Sequence, residues 1–147
     1  MSYASIRARE YFSLGYNCAQ SVLRALLEEK GIFFEEAPIL AAGFGGGISR
    51  RGEMCGAVTG AIMAIGIILG KQIKDPVEHK NITYNSVNEF IKKFNQIHNT
   101  VICNELIGFD ISDTVAREKG NEEGIFDNVC PNFIESAIKI ILDMFSE

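Results

Sequence analysis

A chain of 147 residues, 47% hydrophobic and 22% charged, is long enough to bury a core without disulfides and has the balance of a folded domain. Its formal charge of −5, with no basic stripe interleaved with aromatics, argues against nucleic acid as a partner. The charge is uneven, with eight Lys/Arg against six Asp/Glu in residues 1–74 and six against thirteen in residues 75–147.

The opening stretch, MSYASIRAREYFSLGYNC, mixes Arg7, Arg9 and Glu10 with apolar positions. It lacks the continuous apolar run of a secretory signal, so the expected location is cytoplasmic. Ile6, Ala8, Tyr11 and Phe12 lie near helical spacing and predict a first helix over Tyr3 to Leu14. Asn17, with Gln20 three positions on, forms a capping box for a second helix through Val22, Leu23, Leu26 and Leu27, stopping at Gly31. A short third helix fits 35–42. The segment GFGGGISRRGEMCGAVTGAIMAIG then carries eight glycines before and within an uncharged apolar run. That run, from about 53 to 70, reads as a central buried helix, because one 17-residue uncharged stretch between charged flanks is short for a membrane span. Gly56/Gly60 and Gly66/Gly70 repeat at four-residue spacing, which permits close approach of a neighbouring helix.

Asp75-Pro76-Val77-Glu78 is a helix start, with a capping Asp and Pro at the first helical position. Val87, Phe90, Ile91, Phe94, Ile97 and Val101 line one face of the helix that follows, predicted to run to about Leu106. An acidic loop around 108–128 holds a short helix at 112–119, and Pro131 opens the last apolar helix. No half-buried strand pattern, repeat or linker occurs. The expectation is a single all-α domain over residues 1–147, a bundle of five to six helices around the central helix at 53–70.

Four cysteines, Cys18, Cys55, Cys103 and Cys130, stand out in a chain with no tryptophan and two histidines. Cys18, Cys55 and Cys130 fall at predicted helix starts, where free N–H groups and the positive end of the helix dipole favour thiolate. Arg50 and Arg51 would reinforce this at Cys55, which is therefore the expected low-pKa sulfur. Cys103 lies about 160° from the apolar stripe of its helix at roughly 100° per residue. A bend there, a second packed surface or a site facing that sulfur would each explain it. Structural zinc usually uses short ligand pairs, and no CxxC exists here. An iron–sulfur cluster, needing only thiolates at the right geometry, remains open if the fold brings the four together. His79 and His98 read as structural or solvated.

The loop also fails as a nucleotide site. Gly47 and Gly52 stand five apart as in a P-loop, yet Glu53 and Met54 follow where Lys and Ser/Thr are required. Gly45, Gly46, Gly47, Arg50 and Arg51 stay as candidate anion- or substrate-binding residues at the start of the central helix.

These residues resemble a known four-cysteine family. GYNCAQSV, GFGGGISRRGEMCGAVTGA and single downstream cysteines match its C…CGAxxG…C…C pattern, with Cys55-Gly56-Ala57-Val58-Thr59-Gly60 as the hexamer. Cys18, Cys103 and Cys130 match the other three cysteines in order, so the resemblance spans essentially the whole chain. It implies redox activity carried by the four cysteines, and relatives fused to cytochrome modules point to electron transfer. Genes of the family often lie near transporter genes. The absence of CxxCH argues against covalent haem in this chain.

The leading expectation is thus a redox protein in which four cysteines converge. They would act either as ligands of an iron–sulfur cluster or another thiophilic metal, or as dithiol/disulfide pairs cycling through thiolate attack. The competing reading is a non-catalytic helical binding or interaction module, accessory to transport, whose cysteines only pack. The redox partner is not identifiable from the residues. The glycine-spaced helix and wide apolar faces would suit a homodimer.

Overall fold

Ser2 opens the first helix by accepting the Ser5 N–H on its hydroxyl at 3.1 Å, satisfying one of the free donors of α1 (Tyr3–Ser13). A computed structural model describes residues 1–146, and among them the regular elements are all helical. At Asn17 the capping box forms as expected: its side chain accepts from Gln20 N–H while the Gln20 side chain accepts from Asn17 N–H. The helix that follows is α2 (Cys18–Glu29), whose buried face carries Val22, Leu23, Leu26 and Leu27.

Two one-turn helices, α3 (Ala37–Leu40) and α4 (Gly45–Ile48), flank a 3₁₀ turn at Ala42–Phe44. The apolar helix follows as α5 (Gly56–Gly70), three residues shorter than the expected 53–70. Residues 53–55 are drawn away from helical geometry by pairing with a distant segment. Cys55 N–H donates to Val101 C=O at 2.8 Å, and Glu53 C=O accepts from Cys103 N–H at 2.6 Å.

The Asp75 cap and Pro76 start α6 (Pro76–His98), which ends well before Leu106. Asn99 takes a left-handed conformation (φ 69°) and closes it, a position that asparagine tolerates better than most residues. Its buried stripe is also narrower than expected: Phe90 and Phe94 are buried, while Ile97 is 56% exposed. Beyond it come α7 (Cys103–Ile107), α8 (Thr114–Glu122), an unforeseen turn α9 (Ile125–Asn128), and α10 (Cys130–Met144). Six of these helices have nine or more residues, in keeping with the expected bundle.

The buried residues form one cluster running from Ala4 to Ile141. Its centre is the packing of α5 on α2, with α1 and α10 beside α2, and α6 and α10 beside α5. Gly60 allows this contact, since a Cβ there would lie 2.6 Å from the Ala19 carbonyl oxygen. The second pair behaves differently: a Cβ on Gly66 would meet nothing within 4 Å. Only Gly56/Gly60 serves the close approach that the spacing suggested. No helix among the described residues is long and apolar enough to cross a membrane.

Candidate functional site

All four cysteines lie at the start of a helix. Cys18 is the first residue of α2, Cys103 of α7 and Cys130 of α10, while Cys55 is the N-cap of α5. The expectation held for three; the fourth, Cys103, joins them because α6 stops at Asn99 and a new helix begins. The off-stripe position of Cys103 is thereby explained: it never belonged to that helix. The four starts border one cavity of about 710 Å³, and all four cysteines line it.

Local structure explains how the sulfurs meet. Gly52 to Cys55 pair antiparallel with Val101 to Asn104, through the bonds named above and Asn104 N–H to Gly52 C=O at 3.2 Å, which sets Cys55 opposite Val101 and Cys103 opposite Glu53, the two cysteines diagonal to each other. Behind Cys103, Gly47 adopts φ +66°, and a Cβ on it would stand 2.7 Å from the Cys103 Cβ. Across the cavity, a Cβ on Gly56 would stand 3.0 Å from the Cys18 Cβ.

The loop that precedes Cys55 is strained. Gly46, Gly47, Ile48, Ser49 and Arg50 all have positive φ, between 49° and 68°. For the three non-glycines this costs about 1–2 kcal/mol each, and a β-branched residue such as Ile48 is a rare occupant. The loop is held by Ser49 N–H and Oγ donating to Gly43 C=O (3.0 and 2.9 Å), and by Glu53 N–H donating to Gly47 C=O at 2.9 Å.

All four thiols are free, Cys18 being the least buried and the others nearly inaccessible from bulk solvent. Burial pushes Cys55 up to about 12, against the opposing N–H bonds of Ala57 and Val58 and with the repulsion of Cys103 and Cys130 added. The low-pKa assignment to Cys55 is therefore corrected. A helix terminus contributes up to about 2 kcal/mol, whereas full burial shifts a pKa by up to about 3–5 units, and at Cys55 burial wins. The arginines do not rescue it, for Arg51 turns outward to pair with Glu53 at 2.9 Å. Burial also pushes Cys103 up to about 11, with Cys130 adding to the effect.

Cys18 and Cys130 act on each other's ionisation: a proton shared between the two sulfurs lowers Cys130 and, with burial and the other cysteines, raises Cys18 well above the ordinary range. Burial and Asp127 oppose the shift at Cys130 without reversing it. Cys130 is thus the one cysteine of the four poised toward thiolate. Alkylation of the native protein is expected to reach Cys130 at the lowest pH, with Cys103 and then Cys55 following in strong alkali; peptide-resolved labelling with iodoacetamide from about pH 6 to 12 checks the order. Folding is linked to the same groups. Thiols raised in the folded state above their ordinary value of 9.0 lose stabilisation as pH climbs from about 9 toward 11 and 12. Urea unfolding midpoints should fall over that window, and fall less in Cys55→Ala.

Of the other candidates, Gly45, Gly46 and Arg50 line the cavity, Gly47 backs Cys103 from behind, and Arg51 does not line it. Arg117 of α8, which the sequence reading missed, lines it too. Nothing in the sequence around Arg117 marks it, since it stands in a helix of mixed charge like any solvated residue. His79 donates from Nε2 to Gly66 C=O (2.8 Å), and His98 Nε2 bonds Ser136 Oγ (2.8 Å) while packing on Phe94 and Phe133, so both are structural as expected. Among the described residues, no three His, Cys, Asp or Glu side chains are spaced to hold a single metal ion. All four sulfurs nevertheless line one cavity.

A family model described as "Putative redox-active protein (C_GCAxxG_C_C)" matches residues 16–144. That pattern places a glycine before the cysteine, whereas here the glycine follows it, as Cys55-Gly56-Ala57. An uncharacterized protein of Archaeoglobus fulgidus is 28% identical over 152 residues, covering 98% of this chain and 94% of the relative. No solved structure matches.

Proposed function

The chain belongs to this four-cysteine redox-active family, and on that premise we propose that it performs dithiol/disulfide exchange, with Cys130 attacking and Cys18 resolving. The observation that carries the reading is that Cys18 and Cys130, each the first residue of its helix, line one cavity and act on each other's ionisation. Thiolate attack needs one sulfur partly ionised and a second within reach to complete the disulfide. Cys130 has the lowered pKa and Cys18 the raised one.

The step balances with a disulfide R–S–S–R′ as oxidant. Cys130 thiolate attacks one sulfur, the R–S–S–R′ bond breaks, and R′S⁻ leaves and takes up a proton. Cys18 then gives up its proton and attacks the Cys130 sulfur, forming Cys18–Cys130 and releasing RS⁻. Two protein thiols are oxidised and one disulfide is reduced to two thiols. Run backwards, the same chemistry oxidises small thiols. Cys55, raised to about 12, is ionised in only on the order of one molecule in 10⁵ at pH 7, so it acts after Cys130 or stays reduced.

A second reading is supported by the four sulfurs sharing one cavity. Cys18, Cys55, Cys103 and Cys130 would hold an iron–sulfur cluster, which supplies one-electron transfer when bound. Thiol counting separates the two. Anaerobically purified, iron-free, colourless protein that loses two thiols to a disulfide and regains them with dithiothreitol supports exchange. Bound iron with visible absorption that vanishes in any single Cys→Ala variant supports the cluster. If no native thiol reacts and no metal is bound, the chain is the non-catalytic interaction module.

A further inference from the structure

Six arginines occur in the chain, and four of them pair with carboxylates: Arg7 with Glu10, Arg9 with Glu135, Arg24 with Glu28 and Arg51 with Glu53. The two with no carboxylate partner among the described residues are Arg50 and Arg117, and these are the two that line the cysteine cavity. In a chain with nineteen acidic residues, unpaired guanidinium groups gathered at one site mark a place kept for an external anion.

Arg50 is placed there at a cost. It ends the left-handed run of the glycine loop with φ 66°, and its side chain folds back over Gly46, whose added Cβ would lie 3.0 Å from the Arg50 Cγ. Strain of this kind persists where the conformation serves a site. Arg117 comes from the opposite side, on α8, where one of its N–H groups donates to Ile111 C=O at 2.8 Å. That bond fixes the side chain and leaves further donors of the fork free. The carboxylate of Glu118 lines the same cavity, and Asp127 acts on Cys130 from nearby. Two guanidinium groups beside one lining carboxylate complement a ligand with two carboxylates and an ammonium better than a simple polyanion. The apolar wall, including Phe12, Leu106 and Phe126, and the volume of about 710 Å³ suit a molecule of short-peptide size.

We propose that the oxidant or product handled by the Cys18–Cys130 pair is an amino-acid- or short-peptide-derived disulfide or thiol, its carboxylates held by Arg50 and Arg117 and its ammonium by Glu118. This rests on the dithiol reading and adds the substrate class. The reduced protein is mixed separately with oxidised glutathione, the neutral 2-hydroxyethyl disulfide and the dicationic cystamine, and the loss of two thiols is timed. Oxidised glutathione is expected to react fastest per unit of intrinsic disulfide reactivity and cystamine slowest. In Arg50→Gln and in Arg117→Gln the rate ratio of oxidised glutathione to hydroxyethyl disulfide falls about tenfold, the loss of one charge-assisted hydrogen bond. Arg50→Lys, keeping the charge and losing the fork, lies between.

Equal intrinsic-corrected rates for the three disulfides, or a ratio unmoved by both Gln variants, overturn the substrate class and leave the dithiol reading standing. No thiol loss with any of them overturns both. Circular dichroism of each variant confirms that the helices are intact.

Discussion

Gly60→Ala is expected to lower the unfolding free energy by about 1–3 kcal/mol, although alanine is the better helix former. An added Cβ meets backbone, 2.6 Å from the Ala19 carbonyl oxygen and 3.1 Å from the Ala19 Cα. No side-chain rotation relieves that overlap, so α2 and α5 must part. Helix propensity favours alanine by only about 1 kcal/mol, and it loses. Gly66→Ala is the paired control on the same helix. Its added methyl meets nothing within 4 Å, so propensity acts unopposed and stability rises by about 0.5–1 kcal/mol. Urea denaturation of the two variants should therefore move in opposite directions. Parting α2 from α5 also displaces Cys18, the residue before Ala19, from the cysteines that face it, so Gly60→Ala should slow thiol oxidation as well.

The second large effect is on reactivity. Cys130→Ser should slow oxidation by a small disulfide by about tenfold or more, because each unit of pKa costs about threefold after the higher nucleophilicity of the more basic sulfur is counted. Cys103 at about 11 and Cys55 at about 12 stand two or more units above Cys130, which lies below its ordinary 9.0. Cys18→Ser and Cys18→Ala separate two roles. Both lack the resolving sulfur and should stall as a mixed disulfide on Cys130, detectable by intact mass. Only serine keeps a donor to the Cys130 thiolate, so alkylation of Cys130 should shift to higher pH in the alanine variant and much less in the serine one.

The helices were legible in the sequence where their signals are local. The Asn17/Gln20 box and the Asp75-Pro76 start each depend on neighbours a few residues apart, and each appears as read. What failed depends on distant contacts. The break at Asn99 and the new start at Cys103 are stabilised by pairing with residues 52–55, nearly fifty positions away, with Thr100 accepting Ile102 N–H and donating to Glu105. The apolar stripe continued through that break in sequence, so periodicity alone ran past it.

The site shows the same division. Three cysteines at helix starts could be read from caps and prolines, and the helix-dipole argument then favoured Cys55. Burial reverses that preference, and burial is a property of the assembled core. Cys130 acquires its lowered pKa from Cys18, more than a hundred residues away, a partner that no spacing reveals. The loop glycines and Arg50 were visible as a cluster, whereas Arg117 enters only because α8 folds over the same cavity.

The central claim is that Cys18 and Cys130 form the reactive pair. Peptide mapping of the protein after brief oxidation with a disulfide, all remaining thiols being blocked in acid, tests it most directly. A single cross-link, Cys18–Cys130, is expected, with Cys55 and Cys103 recovered as blocked thiols. A Cys55–Cys103 cross-link formed first, or thiol loss without any Cys18–Cys130 peptide, would contradict it.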